Sequence, residues 1–284
     1  MTVLENKIIV YDDQCRICRL WRNAAIGTGL IESGTFIGFS QLSQPLLEKI
    51  DNKRFRNEMA LVDKGDLPTL YGLDGFFAAL SYKYKFFNIV FKIKWLYKIF
   101  WYLYRVIAYN RFILFLPLTD KGVSCSCEPC FSLKYRVVYI LISLFAGFVL
   151  TALYGMSFGF FFHTFYSAPP ILFLILTCWS GWALQSALAC LLLPRAKAMD
   201  YLGHLGTLMT AGALVVLPAA LWVLGTQRQI QQITLISALI CVLLMIQQHI
   251  RRAKHLEISR GWTASWIFFE MSGAIFWIWF FHIN

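Results

Sequence analysis

The chain has 284 residues, of which 58% are hydrophobic and only 14% are charged. Soluble domains average about 45–50% apolar and about 25% charged residues, so the composition excludes an ordinary soluble protein and indicates a membrane protein. The net charge is +11. Because the basic residues lie at the ends of apolar stretches, we interpret them as membrane topology signals and expect no nucleic-acid partner.

Charged residues are concentrated in the first half of the chain. Residues 1–134 hold 18 of the 26 lysines and arginines and 12 of the 15 acidic residues. This distribution predicts a soluble N-terminal domain followed by a membrane domain. The start of the chain lacks the apolar core of a signal peptide, so we expect the N-terminal domain to stay in the cytosol.

The N-terminal part predicts an α/β domain over residues 1–81. Residues 7–11 form a short β-branched run, and the polar D-D-Q-C that follows is able to cap a helix. In chain order we predict a strand over 7–11, a helix over 15–26, a strand over 36–39, a helical stretch over 44–55, strands over 58–62 and 69–71, and a helix from about Leu73. The order β-α-β-α-β-β matches a thioredoxin-like layout, a sheet covered by helices.

The next segment, residues 82–134, is rich in aromatic residues interrupted by lysines and arginines. These charges are too frequent for a spanning helix. Two alternatives remain open. The helices lie in the headgroup layer, held by anionic lipid and apolar burial, or they pack on the soluble domain. If the helices lie in the headgroup layer, membrane lipid is a partner of this protein.

Five apolar runs of about 20 residues follow and predict an all-α transmembrane helix bundle over residues 135–284. The predicted spans are 137–162, 171–193, 203–225, 230–250 and 262–283. Basic loops alternate with nearly neutral ones. By the positive-inside rule, the N-terminal domain and the loops at 194–202 and 251–261 are cytoplasmic, and Asn284 is outside. We expect a multi-pass protein of the bacterial cytoplasmic (inner) membrane.

The sequence of the last predicted span leaves open whether the chain has five spans or four. Glu270 lies near its middle, and a charged carboxylate at the bilayer centre costs about 2.5–3.5 kcal/mol or more unless it is paired or protonated. A four-span protein with a re-entrant tail is therefore the alternative to five spans.

The main candidate site is the C-x-x-C pair Cys15 and Cys18 at the start of the first predicted helix. The helix dipole and unpaired backbone N–H groups lower the pKa of the first thiol in such motifs from about 8.5 to roughly 3.5–7.5. The first thiol then attacks a disulfide as thiolate, and the second releases the mixed disulfide. We expect only the first thiol to be accessible. Half of a zinc site and two inert thiols are the alternatives.

The sequence around this pair, Y-D-D-Q-C-R-I-C, resembles the Y-D-G-x-C-x-x-C signature of the DCC family of thiol-disulfide oxidoreductases. The resemblance continues through F-S-Q-L, A-L-V-D-K-G-D, Y-G-L-D-G-F and Y-R-V-I-A-Y-N-R, and covers roughly residues 7–117. It implies a thioredoxin-like fold in which Cys15 and Cys18 are the redox pair and Asp12 is a further catalytic residue. The chain departs from the family pattern at Asp13, usually Gly, and at Arg16, where Pro is common. A second carboxylate at Asp13 would raise the pKa of the nucleophile.

A second cysteine cluster, Cys125, Cys127 and Cys130, precedes the first predicted span. Three thiols this close suggest a redox relay for the first pair, or ligands for zinc or copper(I), which thiolates favour. A cluster without chemistry is the third alternative. The three remaining cysteines lie in apolar runs and are expected to be packing residues.

Among the polar residues within or beside the predicted spans, we take five as available to line a pathway: His163, Gln185, His204, His249 and Glu270. Glu270 and His204 are the candidates for an intramembrane polar site, because ionisable residues in spans often line pathways. Interfacial histidines without chemistry are the alternative for the three histidines.

The sequence therefore predicts a membrane-bound thiol-disulfide oxidoreductase whose C-x-x-C pair faces the cytosol. Its expected partner is a thiol or disulfide protein or a small-molecule thiol, and no cofactor is required. The alternative is a protein that binds or transports a soft metal, zinc or copper, through its cysteine clusters. A non-catalytic membrane scaffold is the third hypothesis.

Overall fold

The structure is a computed structural model that describes residues 6–65, 67–85, 92–118, 128–157, 169–226 and 231–283. The chain divides into two compact units, Met1–Tyr135 and Arg136–Asn284.

A four-stranded mixed sheet forms the centre of the first unit. Its strands are β1 Lys7–Tyr11, β2 Phe36–Gly38, β3 Ala60–Asp63 and β4 Leu70–Tyr71. The strand order is β2-β1-β3-β4. Strand β2 runs parallel to β1, whereas β3 is antiparallel to β1 and β4 is antiparallel to β3. The sheet therefore combines a βαβ unit with a hairpin.

Helices cover both faces of this sheet because β1 is apolar on both sides. The helices of this unit are α1 Arg16–Gly27, α2 Gln44–Glu48, α3 Asn52–Phe55, α4 Gly72–Lys83 and α5 Lys94–Leu114. On one face, Ile9 of β1 shares a buried cluster with residues of α1 and α4. On the other face, Val10 packs with Phe55 of α3. The prediction of a sheet covered by helices is confirmed.

The helical stretch predicted over residues 44–55 is not one helix but two short ones. The side chain of Asp51 accepts hydrogen bonds from the backbone N–H groups of Lys53 and Arg54, at 2.9 and 3.4 Å, and starts a new helix there. Ile50, just before this cap, is buried in the core. The side-chain cap at Asp51 and the buried Ile50 before it therefore divide the stretch into two helices.

Helix α5, in the aromatic and basic segment, packs on the first unit by one face. Ala108 and Arg111 are buried, and the Tyr104 hydroxyl accepts a hydrogen bond from the Met59 N–H at 3.3 Å. Of the two alternatives for this segment, packing on the N-terminal α/β unit is observed for α5. Contact with lipid stays a prediction.

The second unit is built from long helices. Its helices, the first of which begins in the first unit, are α6 Leu133–Ser157, α7 Pro170–Leu192, α8 Arg195–Thr226, α9 Gln231–His255 and α10 Gly261–Ile283. Within the described residues, all five are long and apolar enough to cross a membrane. The chain thus has the features of a multi-pass membrane protein. Helix α8 begins eight residues earlier than the predicted span, because the polar stretch from Arg195 continues the helix.

Candidate functional site

The C-x-x-C pair lies where strand β1 passes into helix α1. Cys15 is the N-cap residue of α1 and has extended backbone angles, φ −87° and ψ 119°. Its Sγ accepts a hydrogen bond from the backbone N–H of Cys18 at 3.4 Å. Sulfur here takes the place of the side-chain oxygen that usually caps a helix. A negative charge on this Sγ lies at the positive end of the helix dipole.

Both thiols are free, and both are buried. Cys15 is 1% exposed and Cys18 is 6% exposed, so the expectation that the first thiol is accessible at the helix start is wrong in this structure. The two side chains share a core cluster with residues of β1, β2, β3 and α4. A disulfide partner reaches Cys15 only after local opening.

The segment after α5 is bonded to the residues on both sides of Cys15. The N–H of Leu118 donates a hydrogen bond to the carbonyl of Gln14 at 3.1 Å, and Nε of Arg16 donates to the carbonyl of Leu116 at 3.1 Å. These bonds fix residues 116–118 against the motif loop.

Asp12 and Arg111 form a buried ion pair beneath the motif loop. Nη2 of Arg111 lies 2.9 Å from Oδ2 of Asp12, and the side chains are only 5% and 3% exposed. The other carboxylate oxygen accepts the Gln14 N–H at 2.9 Å. Burial raises the pKa of Asp12, and the positive charge of Arg111 opposes that rise. The ion pair therefore anchors the loop that carries Cys15.

The environment separates the pKa values of the two thiols. The pKa of Cys15 is lowered to about 7, chiefly by a hydrogen bond from the Cys18 thiol; burial opposes this, while the Arg111 charge adds to it. The pKa of Cys18 is raised well above its ordinary value by the same hydrogen bond and by burial. Near neutral pH, Cys15 is therefore present in comparable amounts as thiolate and thiol, whereas Cys18 stays a thiol. This is the distribution that nucleophile and resolving thiol require.

Arg111 is the residue of this site that sequence reasoning did not single out. Arg16, Arg19 and Arg22 of α1 lie closer to the pair in sequence, yet the arginine that lowers the pKa of Cys15 comes from α5. The only sequence signal for Arg111 is its place in the Y-R-V-I-A-Y-N-R block. Asp13, expected to raise the pKa of the nucleophile, accepts a hydrogen bond from the Ser40 hydroxyl. The carboxylate that raises the pKa of Cys15 is Asp12.

The second cysteine cluster is described only at its end. Cys125 and Cys127 lie outside the described residues. The N–H of Cys130 donates a hydrogen bond to Oδ1 of Asn57 at 2.9 Å. Among the residues that the structure describes, no group of three or more His, Cys, Asp or Glu side chains is arranged to hold a metal ion. The redox-relay and zinc or copper hypotheses for this cluster stay predictions.

Polar residues of the second unit form a buried network across four helices. Gln185 of α7 donates to the Tyr201 hydroxyl of α8 at 2.7 Å. That hydroxyl lies 2.8 Å from Nε2 of His249 on α9, whose Nδ1 lies 2.9 Å from the Thr263 hydroxyl of α10. Buried polar groups that find partners fix one helix arrangement. His249 and Gln185 therefore have a clear structural role.

His204 and Glu270, the two candidates for an intramembrane site, lie in different surroundings. Nδ1 of the buried His204 is 2.7 Å from Nη1 of Arg252. Glu270 of α10 packs against Gly181 of α7, and its buried Oε1 has no hydrogen-bond partner among the described residues. His163 lies outside the described residues. A pathway role for these residues stays a prediction.

Comparisons with known proteins give no relative for this chain. No protein-family model, no curated protein and no solved structure matches it.

Proposed function

We propose that the first unit is a thioredoxin-like thiol-disulfide exchange domain of the DCC type, carried by a helical membrane unit. The observation that carries this proposal is Cys15 at the cap of α1, with a pKa lowered to about 7 beside a Cys18 thiol of raised pKa. The strand order β2-β1-β3-β4 and the buried Asp12–Arg111 pair support it.

In the proposed reaction, the Cys15 thiolate attacks one sulfur of a protein or small-molecule disulfide. A bond forms between Cys15 and that sulfur, the partner's S–S bond breaks, and the other partner sulfur leaves as a thiolate. Cys18 then loses its proton to the solvent or to the leaving thiolate and attacks Sγ of Cys15. The bond between Cys15 and the partner sulfur breaks, and that sulfur leaves as a second thiolate, which takes up a proton. The products are a Cys15–Cys18 disulfide and a partner with two thiols. A second dithiol partner, reacting by the reverse steps, restores the reduced pair.

The two cysteines are expected to respond differently to substitution. Cys15→Ser should abolish reduction of a model disulfide, because the serine hydroxyl stays protonated near neutral pH and does not attack a disulfide. Cys18→Ser should accumulate a mixed disulfide at Cys15, since no resolving thiol remains. Non-reducing electrophoresis and mass spectrometry of full-length protein with oxidised glutathione measure both results. Cys190→Ser, an exposed cysteine of α7, is the control and should leave the activity unchanged. Trapping at residue 18 in the Cys15→Ser variant would reverse the proposed roles.

We also propose that the first unit lies on the cytoplasmic side of the membrane. The basis is the basic character of the loops at 194–202 and 251–261. A reporter inserted at Lys197 should then be cytoplasmic, and one fused after Asn284 should be extracytoplasmic. Paired phosphatase and fluorescent-protein fusions measure the two positions. A cytoplasmic C-terminus would leave an even number of spans and contradict the five-span topology.

A further inference from the structure

We propose that the exposed face of helix α5 lies in the headgroup layer of the bilayer and binds anionic phospholipid. The face, here called the α5 outer face, consists of Trp95, Ile99, Tyr102, Leu103 and Ile107. Each of these side chains is between 46% and 65% exposed. They recur at spacings of three and four residues and so share one side of the helix. This proposal does not depend on the redox chemistry of Cys15.

Helix α5 is not itself a span, because its other side packs on the rest of the first unit. Ala108 and Arg111 are buried, and Arg111 is paired with Asp12. The helix is therefore apolar on two sides, of which the first unit covers one. A contiguous exposed apolar face of this kind marks an interaction surface. Tryptophan and tyrosine on it are typical of the membrane interface.

The charge around the α5 outer face selects the partner. Lys92, Lys94 and Lys98 are exposed in the described part of this region, and the sequence has no acidic residue between Asp74 and Asp120. Lysines near an anionic membrane surface are attracted to its headgroups. An apolar face edged by lysines fits a layer of anionic headgroups above acyl chains. It does not fit a basic protein partner.

Contacts of α5 with the first turn of α6 put this face beside the point where the chain enters an apolar helix. Nδ2 of Asn110 donates a hydrogen bond to the carbonyl of Tyr135 at 3.0 Å. Nζ of Lys134 lies 5.2 Å from the centre of the Tyr102 ring. Helix α6 begins at Leu133 and is long and apolar enough to cross a membrane. Within the first unit, the α5 outer face therefore lies beside the residues at which α6 begins.

Photo-crosslinking of the full-length protein in lipid nanodiscs tests this proposal. p-Benzoylphenylalanine is placed at Leu103, or at Leu67 as control, since Leu67 is 63% exposed but lies in the hairpin between β3 and β4. We expect at least several-fold more lipid adduct at position 103 than at position 67, and a further increase when phosphatidylglycerol replaces part of the phosphatidylcholine. Mass spectrometry measures the adducts.

Charge-reversal variants test the role of the lysines. The double change Lys94→Glu and Lys98→Glu should remove the increase with phosphatidylglycerol, whereas Lys53→Glu on α3 should leave it unchanged. Equal adduct at positions 103 and 67, or crosslinks to a second copy of the chain in place of lipid, would overturn the proposal. Adduct at position 103 that does not depend on lipid charge would overturn the preference for anionic lipid. Each result holds whether or not Cys15 is redox-active.

Discussion

Replacing Arg111 by glutamine is expected to destabilise the first unit by about 3–5 kcal/mol, because the buried Asp12 carboxylate loses its partner. The 2.9 Å ion pair between two side chains that are 5% and 3% exposed is the basis for this magnitude. The same change should raise the pKa of Cys15, which the Arg111 charge lowers. Urea unfolding in detergent and the pH dependence of Cys15 alkylation measure the two effects.

Two further variants separate stability from reactivity. Asp12→Asn combined with Arg111→Gln removes both charges, so much of the lost stability should return. The pKa of Cys15 should then lie between the values for the wild type and Arg111→Gln, because Asp12 raises it and Arg111 lowers it. Arg19→Gln, an exposed arginine on the same helix as Cys18, is the matched control. If Arg111→Gln behaves like Arg19→Gln in both measurements, the ion pair has no role in the site.

In the wild-type protein, the alkylation rate of Cys15 should depend on pH in the way that its lowered pKa predicts. Alkylation of Cys15 requires the thiolate, so its rate should rise with pH and reach half its maximum near pH 7, the lowered pKa of this thiol. Cys18 should react only at higher pH, because its pKa is raised well above the ordinary value. Timed alkylation with peptide mass spectrometry distinguishes the two cysteines. A half-maximum for Cys15 near the free-thiol pKa of about 8.5 would contradict the described environment.

Gly181→Ala, which adds a methyl group, is expected to destabilise the membrane unit by about 1–3 kcal/mol or more. A Cβ at this position would lie 2.5 Å from Cα and 2.7 Å from the backbone nitrogen of Glu270. Since these are backbone atoms, helices α7 and α10 must separate to admit it. Thermal unfolding of Gly181→Ala in detergent measures the effect.

Gly225→Ala is the matched control for Gly181→Ala. Gly225 lies in helix α8, and a Cβ there would meet no atom within 4 Å. Alanine in a helix is favoured over glycine by up to about 1 kcal/mol, so this variant should be neutral or more stable. Equal unfolding temperatures for the two alanine variants would show that α7 and α10 do not cross at Gly181 and Glu270.

Local patterns predicted the elements whose sequence signals are strong. Strand β1 has the predicted bounds, since its β-branched run lies between polar residues, and five apolar stretches became five long helices. The two short helices α2 and α3 were predicted as one, because the cap at Asp51 and the inward turn of Ile50 depend on the core.

The site itself was only half predictable, because part of it comes from distant residues. The C-x-x-C pair and Asp12 are contiguous in the sequence. Arg111, by contrast, reaches Asp12 only through the packing of α5, and the burial of Cys15 depends on core strands and α4. The pairing of His249 with Tyr201 likewise depends on which helices are neighbours. Residue type identifies polar candidates, but tertiary packing selects their partners.

Equilibration of the full-length protein with glutathione buffers of graded potential tests the central claim that Cys15 and Cys18 form a reversible redox pair. After acid quenching and alkylation, mass spectrometry gives the fraction of protein with a Cys15–Cys18 disulfide. We predict a reversible two-electron transition with a midpoint between about −270 and −120 mV, the range of thioredoxin-type pairs. No Cys15–Cys18 disulfide at any potential, or one that reducing buffer does not reverse, would contradict thiol-disulfide exchange at this site.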